Sequence, residues 1–323
     1  MKKLEIGVLA SVVSLVVIGL AAPAHADDSA STPDEVAAVV ADAAPTSLGT
    51  ADTTRADKAA VSSLQNGANV TLSDAPVDGV SVTSADGHEL LKVDLPGAQN
   101  LSEGQIANDG SVTYAGDAHT PAVNVLAADN KLRVSVVIDS SAQPTRYDYD
   151  LGAGVTVELK PDGGATAYVQ DTVTNPKDGS ETQVDRIVGD VQAPWAVDAT
   201  GAAVPTHYEV SGSTLTQVVE HGRAGTHYPV VADPTFDQPN WFQHRVRFNR
   251  AETSTIASGG AGILASVGCG AMTAVCVLAG SVIWWNASVA DKSGQCVQLT
   301  ATSTYTVAGM IWWVDQYSGG PCR

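Results

Sequence analysis

The chain reads as mainly β, an antiparallel sandwich or solenoid-like sheet, followed by a small disulfide-containing module built on an α-helical hairpin. Three observations predict this. Short β-type runs recur about every ten residues from residue 68 to 232, separated by turn signals rather than helices. One of them, Arg146-Tyr-Asp-Tyr-Asp150, alternates so that its aromatics fall on one face and its acids on the other. Finally, all four cysteines and five of the six tryptophans lie after residue 240, in a Gly/Ala-rich stretch unlike anything before it.

The first 26 residues read as a secretory signal peptide. Lys2 and Lys3 form a basic start, Ile6 to Leu20 an apolar core, and Ala24-His25-Ala26 a small-x-small cleavage site. The apolar run is short for a membrane span, and Pro23 disfavours its extension. Twin arginines are lacking, and no cysteine follows to take a lipid. Cleavage therefore predicts a secreted chain beginning at Asp27. Residues 27–66 are rich in Ala, Asp, Ser and Thr and carry no aromatic residue. They read as a leader or linker, with a short helix opening at Pro33-Asp34-Glu35 and running to Ala44, because acidic residues suit a helix N-terminus.

Residues 67–236 form the acidic β-rich domain. Its clearest runs are Gly79–Thr83, Lys131–Ile138, Val155–Leu159 and Thr214–Val219. Asp-Gly pairs at 78/79, 86/87, 109/110, 162/163 and 178/179 mark turns between strands. This length is enough to bury one core.

Residues 237–323 form the apolar, Cys/Trp-rich module. Arg245, Arg247 and Arg250 precede a stretch, 253–290, without one formally charged side chain. That stretch is long enough to span a bilayer, yet its glycines lower helix propensity and its arginines lie on the side an exported chain leaves outside. A helical hairpin is therefore expected, about 251–266 and 271–290, turning at Gly268-Cys269-Gly270, with small residues allowing close approach. A β-type run, Val297–Val307, follows. Export favours oxidation of Cys269, Cys276, Cys296 and Cys322 to two disulfides, of which three connectivities are open. The most local pairs 269 with 276 and 296 with 322. Within a regular helix the first two would be about 10 Å apart, so that pairing requires a turn. No CxxC supports zinc as the competing reading.

The strings Asp198–Val210, Thr214–Val218 and Tyr228-Pro-Val-Val-Ala-Asp-Pro234 resemble a β-rich module of large secreted bacterial proteins. Arg247-Phe-Asn-Arg-Ala-Glu-Thr253, Gly294-Gln-Cys296 and Tyr317-Ser-Gly-Gly-Pro-Cys322 resemble the C-terminal region of uncharacterised secreted actinobacterial proteins. The resemblance implies export. It brings no activity with it, and a bacterial source makes glycosylation at Asn69-Val-Thr71 or Asn286-Ala-Ser288 unexpected.

Charge narrows the functional classes. The chain carries a net −18; residues 27–240 hold 31 acidic against 10 basic side chains, and 241–323 hold three against five. Such acidity argues against nucleic-acid binding. The signatures GxSxG, HExxH, the P-loop and the dinucleotide fingerprint are all lacking. His207, His221 and His227 near Asp233 are the best metal candidates but read more simply as surface hairpin residues. Asp148 and Asp150 read as a solvated strand face rather than a catalytic pair. No catalytic residue, metal or cofactor is expected.

The predicted function is a non-enzymatic secreted protein whose acidic β-domain carries the apolar module to a membrane or cell envelope, as a bacteriocin-like or toxin-like effector. Arg245, Arg247 and Arg250 would meet anionic lipid or polymer, and Trp284, Trp285, Trp312 and Trp313 would form an interfacial belt. The alternative is an extracellular structural or binding protein whose tail packs on the β-domain or self-associates.

Overall fold

A computed structural model describes residues 31–65, 67–84, 87, 89–174, 181–237, 243–259, 279–302 and 312–323. Helix α1 spans Pro33–Ala43. Thr32 caps it reciprocally with Glu35, and its buried side, Val36, Ala37 and Val40, faces the sheet residues Val137 and Val231. Asp34 then fastens the helix start to Asn108, accepting from its backbone N–H and its Nδ2, both at 2.7 Å.

Five strands follow as an antiparallel meander: β1 Thr53–Ala56, β2 Ala59–Ser63, β3 Asn69–Ser73, β4 Val80–Thr83 and β5 Glu89–Val93. The expected leader is therefore corrected. Residues 53–56 and 59–63 of it are strand, because β2 pairs along β3 from Ala59↔Ser73 to Ser63↔Asn69 and buries Ala60.

The main sheet begins with β6 Gln105–Ile106, β7 Val112–Tyr114, β8 Ala122–Ala128 and β9 Lys131–Ile138. Strand β10, Arg146–Asp150, belongs instead to a three-stranded sheet with β15 Thr206–Ser211 and β16 Thr214–Val219. Its alternation has the expected effect: Tyr147 and Tyr149 are buried, while Arg146 and Asp148 are exposed. The main sheet continues through β11 Val155–Leu159, β12 Ala165–Thr174, β13 Glu181–Val191, β14 Trp195–Val197, β17 Val230–Asp233 and β18 Thr235–Asp237. One core joins the three sheets, with Leu72, Val82, Tyr114, Val134, Tyr149 and Phe236 among its members.

The C-terminal region adds β19 Gln243–Arg247, α2 Arg250–Gly259, α3 Gly280–Ser293, β20 Cys296–Thr302 and β21 Trp312–Tyr317. These strands extend the main sheet in the order β13–β19–β20–β21, every pair antiparallel. A boundary at 236/237 is thus corrected too. It cuts through β18, and the tail's first strand is hydrogen-bonded to the body.

Helices α2 and α3 cover one face of this extension. Ile256, Ile283 and Ala287 pack on Val246, Val297 and Leu299. Asn249 caps α2: its Oδ1 accepts from the Glu252 N–H at 3.0 Å, and Glu252 returns the bond to the Asn249 N–H at 2.8 Å. Thr253, fully buried, ties the helix to the sheet by donating to Phe248 O and accepting from Val297 N–H at 3.2 Å. The expected turn at 268–270, with Cys269 and Cys276, lies outside the described residues, as do Trp241 and the signal segment. Of the disulfides, Cys296–Cys322 is present, closing the last strand pair onto the chain end.

Candidate functional site

The sheet extension has two faces, and period-two alternation decides what each carries. Val246 points into the helical layer. Its neighbours Arg245 and Arg247 therefore point to the other side, where β11, β12 and β13 supply partners.

There Asp185 Oδ2 accepts from Arg247 Nε at 2.6 Å and from Arg245 Nε at 3.2 Å. Glu158 Oε2 accepts from Arg247 Nη1 at 2.7 Å and lies 3.6 Å from Arg245 Nη2. Tyr168 provides an aromatic wall, its ring centre 4.7 Å from the Arg247 guanidinium carbon and 5.0 Å from that of Arg245. Both arginines and Asp185 are buried. Burial opposes the Arg247 charge, but Asp185 and Glu158 outweigh it and hold its pKa above the ordinary value. Arg245 goes the other way, its pKa lowered by burial first and by the adjacent Arg247 second.

This corrects the expectation that Arg245 and Arg247 face an anionic surface. Their charges are spent inside the protein on two carboxylates. Arg250 is exposed at the start of α2, and its N–H donates to Arg323 O at 3.4 Å.

The tryptophans separate in the same way. Trp312 is half-buried against the helical layer, whereas Trp313, on the opposite face, is 37% exposed. Trp284 donates from Nε1 to Ala257 O at 3.2 Å, linking α3 to α2, and keeps part of its ring in solvent. Trp285 is 65% exposed, the most exposed large apolar side chain among the described residues. Val282 and Val289 are exposed as well, so positions 282, 285 and 289 form one stripe along α3.

Beside the arginine cluster lies a cleft of about 700 Å³, lined in part by Glu158, Lys160, Arg245, Gln298, Gln316 and Tyr317. Burial pushes the Tyr317 phenol up to about 12, and its hydroxyl donates to Phe248 O at 3.1 Å. The cleft was not foreseen, because β11 and β20 are far apart in the chain.

The histidine candidates do not converge. His221 is fully buried rather than on a surface hairpin, with Nδ1 3.1 Å from the Tyr228 hydroxyl and Nε2 2.9 Å from Pro144 O. His227 is exposed, with Nδ1 3.6 Å from Asp198, and His207 lies 3.5 Å from Glu209. Asp198 is held well below the usual carboxylate range by Thr200, whose hydroxyl donates to it, helped by backbone N–H groups. Among the described residues no three metal-ligating side chains cluster. Asp148 accepts from the Thr216 hydroxyl at 2.6 Å on its exposed strand face.

Sequence reasoning also missed a buried charge pair. Asp233 Oδ2 lies 3.3 Å from Arg133 Nε, accepts from the Thr235 hydroxyl, and is fully enclosed. Burial pushes its pKa up to about 7 against the pull of Thr235 and Arg133. Only the polar spacing of β9 and β17 hinted at the pair. No protein-family model matches the chain, and no curated protein is significantly similar to it.

Proposed function

We propose that this is an exported, non-enzymatic protein that rests on a membrane surface through α3, with its C-terminal strands serving as a fixed part of the β-body rather than as a releasable payload. The observation that carries this reading is the exposed stripe Val282, Trp285 and Val289, flanked by the half-exposed Trp284. Tryptophan suits the boundary between lipid and water, because its ring is largely apolar while its N–H keeps a polar partner. A helix lying in that boundary needs one apolar side and no spanning length. No helix among the described residues is long and apolar enough to cross a membrane.

The non-enzymatic part rests on the occupancy of the polar groups. The two nitrogens of His221 and the carboxylates of Asp185 and Glu158 all hold structural partners. Arg250 is the basic group of the original trio that remains at the surface.

Flotation of the intact protein with phosphatidylcholine vesicles, with and without phosphatidylglycerol, tests the reading. The protein should float with the vesicles, and Trp285→Ala combined with Val289→Ser should reduce the floating fraction about tenfold without changing the thermal midpoint. Failure to float with either composition overturns it. A concentration-dependent dimer that the same substitutions abolish, with no flotation, supports self-association through the stripe instead.

A further inference from the structure

The geometry points to the Asp233–Pro234 peptide bond as a place where the chain cleaves itself, with the Asp233 carboxyl as the nucleophile. The reaction is intramolecular and runs once per chain, so it stands independently of how α3 is used. Asp233-Pro234 is the only Asp-Pro pair in the sequence. An aspartyl carboxyl can close a five-membered ring on its own carbonyl carbon, and a nucleophile tethered this closely needs no encounter. Proline supplies a tertiary amide nitrogen, a more basic leaving group than the nitrogen of an ordinary peptide, and it has no N–H to be held in a ladder.

The surroundings of Asp233 suit that attack. Thr235 and Arg133 hold Oδ2, whereas the buried Oδ1 has no hydrogen-bond partner among the described residues. The carbonyl oxygen of the same residue accepts from the Tyr208 hydroxyl at 3.4 Å. A donor placed there tightens as negative charge develops on that oxygen. Burial holds the Tyr208 phenol well above its ordinary pKa, so the donor keeps its proton. The charged and titratable groups facing the carboxyl are Arg133 from β9, Tyr149 from β10 and Tyr208 from β15. Register supplies one more group. Ala232↔Val136 and Thr235↔Arg133 place Ser135 across the ladder from Asp233, and its buried Oγ also lacks a partner among the described residues. Two orphaned polar atoms on neighbouring strands suit a shared buried water.

In the first step Oδ1 bonds to the Asp233 carbonyl carbon. The C–N bond to Pro234 breaks, its electron pair stays on nitrogen, and the carboxyl proton follows to the same nitrogen. A cyclic anhydride and a free proline N-terminus result. Water then adds to the anhydride, its oxygen and protons completing the two carboxyl groups of a C-terminal aspartate. Because burial keeps the Asp233 carboxyl protonated up to about pH 7, the proton that the leaving nitrogen needs is present near neutrality.

Incubation of the intact folded protein with protease inhibitors at about pH 6, read by mass spectrometry of the denatured chain, tests the proposal. Fragments ending at Asp233 and beginning at Pro234 are expected, their masses summing to the intact chain plus one water. They should form at least about tenfold faster in the folded protein than in urea at the same pH, where an unfolded aspartate is ionised. The folded rate should fall as pH rises through about 7. Tyr208→Phe and Pro234→Ala should each slow cleavage at least about fivefold. Should both variants fold poorly, the folded-against-urea comparison on the unsubstituted protein still decides. No cleavage at this bond over several days, a rate in the fold no higher than in urea, equal cleavage of Asp233→Ala, or an unchanged rate in both well-folded variants overturns the assignment.

Discussion

Asp185 Oδ2 sits 2.6 Å from Arg247 Nε, joining residues 62 positions apart and fixing the C-terminal strand to the body of the sheet. The same oxygen takes Arg245, so one buried carboxylate answers two guanidinium groups. Removing it should be far costlier than removing a surface pair. Asp185→Ala leaves both arginines short of a counter-charge in a largely dry site, and a loss of about 3–5 kcal/mol is expected from urea denaturation. A loss below about 1 kcal/mol would mean that water reaches the cluster freely.

Asp233 sets a dependence on pH. Its carboxyl, near 3.8 when unperturbed, is pushed up to about 7 in the fold, where Arg133 faces it and the Tyr149 and Tyr208 rings lie close enough to feel its charge. The folded chain therefore holds a proton that the unfolded chain has lost between those values. That contribution is complete below about pH 4 and disappears as pH rises through 7. Asp233→Asn should remove this downward slope, leaving stability flatter between pH 4 and 7 than in the unsubstituted protein. Denaturant midpoints measured across the range for both proteins give the comparison, and identical slopes would contradict it.

The Thr253 hydroxyl bridges α2 and β20. Thr253→Val preserves shape but strips the partner from the buried Val297 N–H, at a cost of about 1–3 kcal/mol. Thermal melts of Thr253→Val beside Thr253→Ser separate the hydroxyl from the methyl, since serine should retain most of the stability.

Cys296 and Cys322 close a segment separated by 26 positions. Cys296→Ser should cost roughly 3 kcal/mol through restored freedom of the unfolded chain. Reducing agent should lower the midpoint of the unsubstituted protein more than that of the variant.

Local pattern carried the parts of the fold that depend on local pattern. Arg146-Tyr-Asp-Tyr-Asp150 declares a half-buried strand, and Pro33-Asp34-Glu35 declares a helix start; both elements are present. Strands β1 and β2 were hidden because Ala, Ser and Thr dominate them, and their order comes from pairing with β3 rather than from propensity. The arginine site was half legible. Arg245-Val-Arg247 already placed two cations on one strand face, but the carboxylates that bury them come from residues 158 and 185. Nothing near residue 245 announces those partners, so an inward-facing pair read as a surface patch. His221 misled for a similar reason, since its acceptor at Pro144 lies 77 positions away.

The pairing of β19 with β13 changes what a protease could accomplish here. Cutting between Asp237 and Gln243 would sever the peptide without severing Asp185 from Arg245 and Arg247, or β19 from its ladder. The two pieces would travel together through a sizing column and part only in denaturant. A nick at that place would thus produce a two-chain protein held by its own sheet, and cleavage seen on a denaturing gel would say nothing about liberation.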